Sequence, residues 1–398
     1  MAKKRLLTRR HVLLLGLGTV ASMGAVANSK EMYKNQKIQS LYNPKRNFAV
    51  VGEASLKQRA LDKKLIYGAA ARYKDLSTQT ELASSFAQEC GMLVPEWEFK
   101  WSAGNAILRP GPDKFDFSAT DWMANFAQTH GLLFRGHTLV WGLSLPSWFK
   151  ETVNPQNAEQ FLVNHIKTVV GRYAGRMHSW DVVNEAIEPF DKRADNLRKN
   201  PWLEFLGPDY IDLAFRIAAQ TDPKAMLVYN DYGLDYDNSK DEARRKGVLK
   251  LLENLKSKGT PIHALGIQAH LAGDSTEFNA KKFRNFLKEV ANLGLKILIT
   301  ELDVVDKKLP LDQVVRDRIV ASAYEDYLSV VLDEPAVIAV LAWGLSDRYT
   351  WLTDFHPRSD GARVRPLPLD TDLKPKLAWN AIARALSKAP MREVQHLR

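Results

Sequence analysis

The chain has 398 residues, 45% of them hydrophobic and 26% charged, so it can bury a sizeable core without metal ions or disulfides. Its single cysteine, Cys90, excludes an intrachain disulfide framework, and we expect a buried structural thiol there. Half of the net charge of +10 lies in residues 1–27, and no basic block interleaves with aromatic residues, which argues against a nucleic-acid partner.

Residues 1–27 have the layout of a bacterial signal peptide. Two adjacent arginines, Arg9 and Arg10, precede an apolar stretch that runs to Val26, and small residues up to Ala27 offer a cleavage site. Paired arginines are typical of the twin-arginine export route, so we expect a periplasmic or extracellular protein. The alternative is an uncleaved membrane anchor, but an apolar stretch of about 15 residues is short for a full span. We therefore expect no stable membrane span after signal cleavage.

Residues 28–60 are polar and lysine-rich, which predicts a linker followed by an early helix from Ala54 to Lys64. In residues 61–398, which we expect to form a single domain, short apolar runs alternate with amphipathic segments. The predicted strands are Leu65–Ala70, Gly91–Pro95, Leu132–Leu139, Ser179–Asn184, Ala225–Asn230, Ala264–Ala269, Lys296–Thr300 and Val337–Ala342. The predicted helices include Ala158–Tyr173, Asp209–Gln220, Asp241–Lys258, Asn279–Leu293, Leu311–Leu332 and Lys376–Ser387.

This alternation predicts an α/β fold, a single (β/α)8 TIM barrel. Its functional residues should lie at the carboxyl ends of the strands. A doubly wound open sheet is the alternative. The sequence has no Gly-x-Gly-x-x-Gly or Walker-type loop that would support nucleotide binding in such a sheet.

Two of the predicted strands deliver a glutamate at their carboxyl ends. Glu185 follows the strand that begins at Ser179, and Glu301 follows the strand that begins at Lys296. Retaining glycoside hydrolysis needs two such carboxyl groups, one as acid/base and one as nucleophile. Either glutamate alone is more simply interpreted as a solvated strand end. The pair favours catalysis.

Other polar and aromatic residues gather at the same end of the predicted strands. Aromatic faces stack on sugar rings, while amide, imidazole and ammonium groups bond sugar hydroxyls. A single tryptophan or histidine there is more often structural, but the recurrence at one end of the strands favours a sugar site. The residues that we expect to contact the substrate are Glu96, Lys100, His137, Trp141, Asn184, Tyr232, Gln268, His270, Asp303, Trp343 and Trp351.

From Leu65 to Leu386 the chain resembles glycoside hydrolase family 10, whose members are mainly endo-β-1,4-xylanases. Six motifs in order carry the resemblance. They are Gly136-His-Thr-Leu-Val-Trp141, Trp180-Asp-Val-Val-Asn-Glu185, Asn230-Asp-Tyr232, Gly266-Ile-Gln-Ala-His270, Ile299-Thr-Glu-Leu-Asp303 and Trp343-Gly-Leu-Ser-Asp347.

The resemblance implies a retaining endo-β-1,4-xylanase, with Glu185 as general acid/base and Glu301 as nucleophile. It also implies that Asn184 bonds the sugar 2-hydroxyl and that Asp303 orients His270. The expected partner is xylan or a related β-glycan. We expect no cofactor, no metal site and a monomeric protein.

The chain departs from the family pattern around the sugar next to the reacting ring. Trp97 stands where the family usually has asparagine, and Gly142-Leu143-Ser144 replaces a histidine-x-glutamine segment. Gly233 and the segment from Arg363 to Asp370 also differ. If Trp97 points into the cleft, we expect it either to stack on the second glycone sugar or to fill part of its subsite. The alternative is that Trp97 turns away and packs between loops. Substrate preference is therefore open.

Three alternatives to a xylanase remain at this point. The first is a retaining β-glycanase with another preference, for other β-glucans or short xylo-oligosaccharides. The second is a non-catalytic glycan-binding protein, against which the presence of both glutamates argues. The third is a metal-dependent hydrolase, although the nine histidines form no His-x-x-x-His pattern.

Overall fold

A computed structural model describes residues 36–393 of the chain. It divides the chain between Arg46 and Asn47 into two compact units. In the first unit, residues 36–41 are helical. The predicted signal peptide, residues 1–27, lies outside the described residues.

The second unit alternates strands and helices, as the sequence pattern predicts. Its strands are β1 Ile66–Ala71, β2 Met92–Pro95, β3 Leu133–Gly136, β4 Ser179–Asn184, β5 Met226–Asp231, β6 Ala264–Ile267, β7 His270–Ala272, β8 Lys296–Val305 and β9 Val337–Ala342. Its helices are α1 Leu56–Leu61, α2 Tyr73–Thr78, α3 Thr80–Glu89, α4 Ser118–Thr129, α5 Phe149–Thr152, α6 Ala158–Arg172, α7 Pro201–Leu206, α8 Tyr210–Thr221, α9 Ser239–Ser257, α10 Ala280–Asn292, α11 Gln313–Val331, α12 Leu352–Phe355 and α13 Leu377–Lys388.

Eight of the strands close into a barrel. Each pairs in parallel with its neighbour in the order β1 to β6, then β8 and β9, and β9 pairs back with β1. The (β/α)8 fold is confirmed, and the open-sheet alternative is wrong because a doubly wound sheet would leave two unpaired edges. All the carboxyl ends of the barrel strands therefore meet at one mouth.

Three predicted strands differ from the observed ones by more than one residue at an end. The third ends at Gly136 instead of Leu139. The sixth predicted strand ends early at Ile267, and the chain resumes as β7, which pairs only with the outer part of β8. The seventh extends to Val305 rather than Thr300, so Glu301 lies within β8 instead of after it. Strand β7 pairs in parallel with the last residues of β8, Asp303–Val305, and so stabilises this outer half of the strand. In this pairing His270 lies opposite Asp303.

The core explains why the strand sequences are almost continuously apolar. Parallel strands are buried on both faces, by the barrel interior and by the surrounding helices. One buried cluster joins residues from strands around the barrel, among them Val94, Val228, Leu298 and Leu341. Cys90 is also fully buried, as expected, at the C-terminal end of α3.

Polar caps help to set the helix boundaries. Asn200, Asn238, Asn279 and Asp312 each accept a backbone N–H at the start of a helix, which satisfies donors that the helix itself leaves unpaired. Within residues 36–393, no helix combines the length and apolar character that a membrane crossing requires.

Candidate active site

Glu185 directly follows β4 and places its carboxylate in the mouth of the barrel. One oxygen accepts from Gln268 Nε2 at 3.1 Å and from Asn184 Nδ2 at 3.2 Å. The other accepts from Trp141 Nε1 at 3.1 Å and lies 3.9 Å from the Arg198 guanidinium. The side chain keeps 12% of its surface exposed, so a bound molecule can reach it.

The backbone at Glu185 adopts a left-handed conformation with φ of 55°. Such a conformation costs a non-glycine residue roughly 1–3 kcal/mol, so surrounding contacts must hold it. Arg198 Nε donates to the Glu185 carbonyl at 2.7 Å. The next N–H, of Ala186, donates to the Tyr229 hydroxyl at 3.1 Å, and that hydroxyl donates to Asp231. These bonds fix the direction in which the Glu185 side chain leaves the strand.

Glu301 projects from β8 and is buried more deeply than Glu185. Its carboxylate accepts from Asn230 Nδ2 at 2.8 Å and from His270 Nε2 at 3.3 Å. Burial raises the pKa of Glu301, but the charge of His137, the bond from His270 and the charge of Lys100 outweigh it and lower the pKa to about 2. Glu301 is therefore ionised at neutral pH.

Two carboxylates, those of Asp303 and Glu301, keep the His270 ring protonated. Its Nδ1 donates to Asp303 Oδ1 at 2.9 Å, and the other Asp303 oxygen accepts from Trp351 Nε1 at 2.8 Å. Burial lowers the pKa of His270, but Asp303 and Glu301 together raise it to about 10. A protonated His270 is consequently a donor on both ring nitrogens.

Side-chain amides connect the two glutamates. Asn230 Nδ2 donates to Glu301 and also to Asn184 Oδ1 at 2.9 Å. Asn184 and Gln268 in turn both donate to Glu185. The two carboxylates thus face one cleft and are positioned by the same network.

Lys100 forms one wall of this cleft. Its ammonium group lies 5.1 Å from the ring centroid of Trp141 and 5.6 Å from that of Trp343. Burial lowers its pKa, against the opposing charges of Glu301 and Glu96. His137 completes the wall, since its ring meets Trp343 edge-on at 5.2 Å while its Nδ1 bonds Asp181 at 2.9 Å.

Comparison with known proteins decides the family. A sequence model of glycosyl hydrolase family 10 matches residues 55–385. The chain belongs to this family. Endo-1,4-beta-xylanase B of Paenibacillus barcinonensis is 33% identical over 80% of this chain and 94% of that relative. Endo-1,4-beta-xylanase A of a Caldicellulosiruptor species is 34% identical over 79% of this chain, which spans only 45% of that relative.

Solved family-10 structures share the barrel. The crystal structure of xylanase 10B from Thermotoga petrophila, in complex with xylobiose, superimposes with a TM-score of 0.76 at 31% identity. The match covers 85% of this chain and 99% of that one. This family-10 chain is therefore a glycoside hydrolase.

The barrel mouth brings together most of the residues that the sequence predicts for the site. One connected group surrounds the two glutamates and comprises Lys100, His137, Trp141, Asn184, Gln268, His270, Asp303, Trp343 and Trp351. Tyr232 lies on the Arg198 side of Glu185, where its hydroxyl accepts from Arg198 at 2.9 Å. Glu96 is also at the mouth, but its carboxylate is bonded to Arg72.

The sequence pattern assigns no role to several residues at the site. It predicts Asn230 only as the end of a strand, although Asn230 bonds Glu301 directly. Arg198 and Tyr229 hold the Glu185 backbone, and Arg72 bonds Glu96. The Asn230-Asp-Tyr232 motif was a usable sign for Asn230, whereas nothing local marks Arg72. Within residues 36–393, no three His, Cys, Asp or Glu side chains are grouped to hold a metal ion.

Proposed function

We propose that this family-10 enzyme is a retaining endo-β-1,4-xylanase that cleaves internal β-1,4-xylosidic bonds of xylan by double displacement. One observation carries the proposal. Glu185 and Glu301 face a single cleft, share one amide network and differ in burial. The relatives and the xylobiose complex named above support xylan as the substrate class.

Glu301 serves as the nucleophile. Its pKa of about 2 keeps the carboxylate ionised, so it can attack the anomeric carbon without losing a proton first. The attack forms a glycosyl ester on Glu301 and inverts the anomeric configuration. Asn230 and His270 hold the two carboxylate oxygens and so limit the orientations of the nucleophile.

Glu185 serves as the acid and then as the base. In the first step its proton passes to the departing glycosidic oxygen. In the second step Glu185 removes a proton from water, which attacks the glycosyl ester, inverts the centre again and frees Glu301. The donors of Trp141 and Gln268 hold the Glu185 carboxylate between these steps.

The surrounding residues orient the reacting sugar. Asn184 lies between the two glutamates, where it can bond the sugar 2-hydroxyl, a contact that strengthens as charge develops in the transition state. Lys100, held between two indole rings, supplies a donor to the hydroxyls of the same sugar.

The test is a panel of xylan, mixed-linkage β-glucan and aryl β-glycosides, with viscosity and product analysis. An endo-xylanase lowers the viscosity of xylan early and releases xylo-oligosaccharides, while Glu301→Ala does neither and keeps the wild-type circular dichroism spectrum. Hydrolysis of β-glucan without hydrolysis of xylan would assign another substrate. Undiminished turnover by Glu301→Ala would refute the assignment of the nucleophile.

We further propose that the enzyme is exported by the twin-arginine route and acts in the periplasm or the medium. Arg9 and Arg10 support this proposal, since they directly precede the apolar stretch. Polymeric xylan is too large to cross a membrane, which also favours an enzyme outside the cytoplasm.

A further inference from the structure

We propose that Arg72, at the end of β1, weakens the binding of the sugar that precedes the reacting ring. Three residues are expected to contact this second glycone sugar. Glu96 and Trp97 contact Arg72 instead, and Ser144 bonds the Ser102 carbonyl. This inference rests on the proposed function and makes Arg72 a determinant of substrate specificity.

The first contact is with Glu96, which follows β2 at the barrel mouth. Arg72 Nε and Nη2 both donate to one Glu96 oxygen, at 3.0 and 2.8 Å. Glu96 is only 3% exposed, and the neighbouring charge of Lys100 acts on both Glu96 and Glu301. The glutamate therefore lies beside the reacting centre, and one of its two carboxylate oxygens is occupied by a guanidinium.

The second contact is with Trp97. The Arg72 guanidinium carbon lies 3.8 Å from the centroid of the Trp97 ring, so it covers one face of the indole. The six-membered ring also lies against Gly104, where an added Cβ would approach it to 2.7 Å. Sugar stacking needs an open aromatic face, and Arg72 covers one of the two faces of Trp97. Trp97 therefore packs between Arg72 and a loop instead of serving as a stacking platform.

The third residue expected near the second glycone sugar, Ser144, already has a hydrogen-bond partner. Its hydroxyl donates to the carbonyl of Ser102. Gly142, two residues earlier, packs closely against Asn200, because an added Cβ on Gly142 would lie 2.5 Å from Asn200 Cβ. Ser144 consequently fastens this segment to the loop that supports Trp97 and has no free donor for a sugar.

Weak contacts at this sugar have a kinetic consequence. Binding energy from a remote sugar normally supports catalysis at the reacting ring, so an extra sugar raises kcat/KM. Because Arg72 and the Ser102 carbonyl already occupy groups that would contact the second glycone sugar, this sugar should raise kcat/KM only slightly. The expected gain from aryl β-xyloside to aryl β-xylobioside is less than about tenfold in the wild type.

The experiment measures this gain for the wild type, Arg72→Ala and Arg72→Gln. Removal of the guanidinium frees the Trp97 face and the Glu96 oxygen, so the gain should increase at least about fivefold in either variant. Arg72→Gln leaves a hydrogen-bond donor beside the buried Glu96, so this variant should fold even if Arg72→Ala does not. Circular dichroism checks the folding of both variants. The matched control is Arg172→Ala, because Arg172 pairs with Asp121 and lies 4.5 Å from the Phe117 ring without contacting the site residues.

The outcomes separate this inference from the proposed function. A large gain in the wild type that stays unchanged in both Arg72 variants would overturn the inference, while xylan hydrolysis would leave the proposed function intact. An equal rise in Arg172→Ala would also overturn it, since the effect would then not come from the site. If the wild type hydrolyses neither aryl glycoside nor xylan, the proposed function fails and the inference with it.

Discussion

His270 keeps the proposed nucleophile charged through a direct hydrogen bond. It is itself protonated because Asp303 and Glu301 raise its pKa to about 10, against the effect of burial. Across the pH range of most assays, Glu301 therefore faces a cation. The acidic limb of the pH–rate profile should consequently not arise from protonation of Glu301 in the wild type.

His270→Asn should move this limb. Without the cation the pKa of Glu301 rises, and because the nucleophile must be ionised, activity is then lost as pH falls through the new value. We expect the acidic limb of the kcat/KM profile to shift to higher pH by about one pH unit or more. The measurement is kcat/KM against pH with an aryl β-xylobioside that has a good leaving group, which minimises the contribution of the acid.

The control is His130→Asn, since His130 is exposed at the end of α4. A profile for His270→Asn that differs from the wild type only by a uniform scaling would show that His270 positions the sugar without setting the charge of Glu301.

Sequence patterns identify individual site residues better than their pairings. The motifs locate both glutamates and most of the side chains that bond them, because these lie on or just after strands whose carboxyl ends meet at the mouth. They assign no role to Asn230, which bonds Glu301. They did not reveal that Arg72 pairs with Glu96, 24 positions away. That pairing depends on how two neighbouring strands end in space, and no local pattern encodes it.

At the scale of elements, a side chain from β5 fixes the backbone next to Glu185, which follows β4. The Tyr229 hydroxyl accepts from the Ala186 N–H, and so it fixes the backbone just after Glu185. Tyr229 is fully buried and touches no open part of the cleft. We infer that Tyr229 is a positioning residue for Glu185, the proposed acid.

Tyr229→Phe should therefore impair proton donation selectively. We expect a loss of about tenfold or more in kcat/KM for a xylobioside with a poor leaving group such as phenol. Dinitrophenyl xylobioside should be hydrolysed almost normally, since its leaving group needs no proton. The control Tyr324→Phe removes another buried hydroxyl, which donates to Pro366 away from Glu185. Equal losses on both substrates would indicate a general structural role instead.

Periodicity predicted the elements well. The helix boundaries predicted from Ala158 onwards lie within two residues of those observed. Helix α10 has a clear apolar face, and polar caps mark the starts of α9 and α11. The outer half of β8 was missed because polar residues interrupt its apolar pattern from Thr300 onwards. Those polar side chains, Glu301 and Asp303, are buried by their mutual contacts with His270. At the site, hydrogen bonds between polar side chains allow these residues to be buried in a strand, where apolar residues are otherwise expected.

At the scale of the whole molecule, the proposed twin-arginine export is tested at Arg9 and Arg10. Replacing Arg9 and Arg10 together by lysine should trap the enzyme in the cytoplasm, because the twin-arginine route requires the arginine pair. Immunoblots of cell fractions, with an unrelated Sec-exported protein as control, measure the distribution. Undiminished export of the double variant would show that another route is used.

The closed barrel brings Glu185 and Glu301 together although 116 positions separate them in the sequence. The central claim is that they act in two successive displacements. Proton magnetic resonance of xylo-oligosaccharide hydrolysis in the first minutes tests this claim most directly. Two inversions restore the original configuration, so the first products should carry the β-anomer, and the α-anomer should appear only by later mutarotation. Initial formation of the α-anomer would contradict the double displacement and the role of Glu301 as nucleophile.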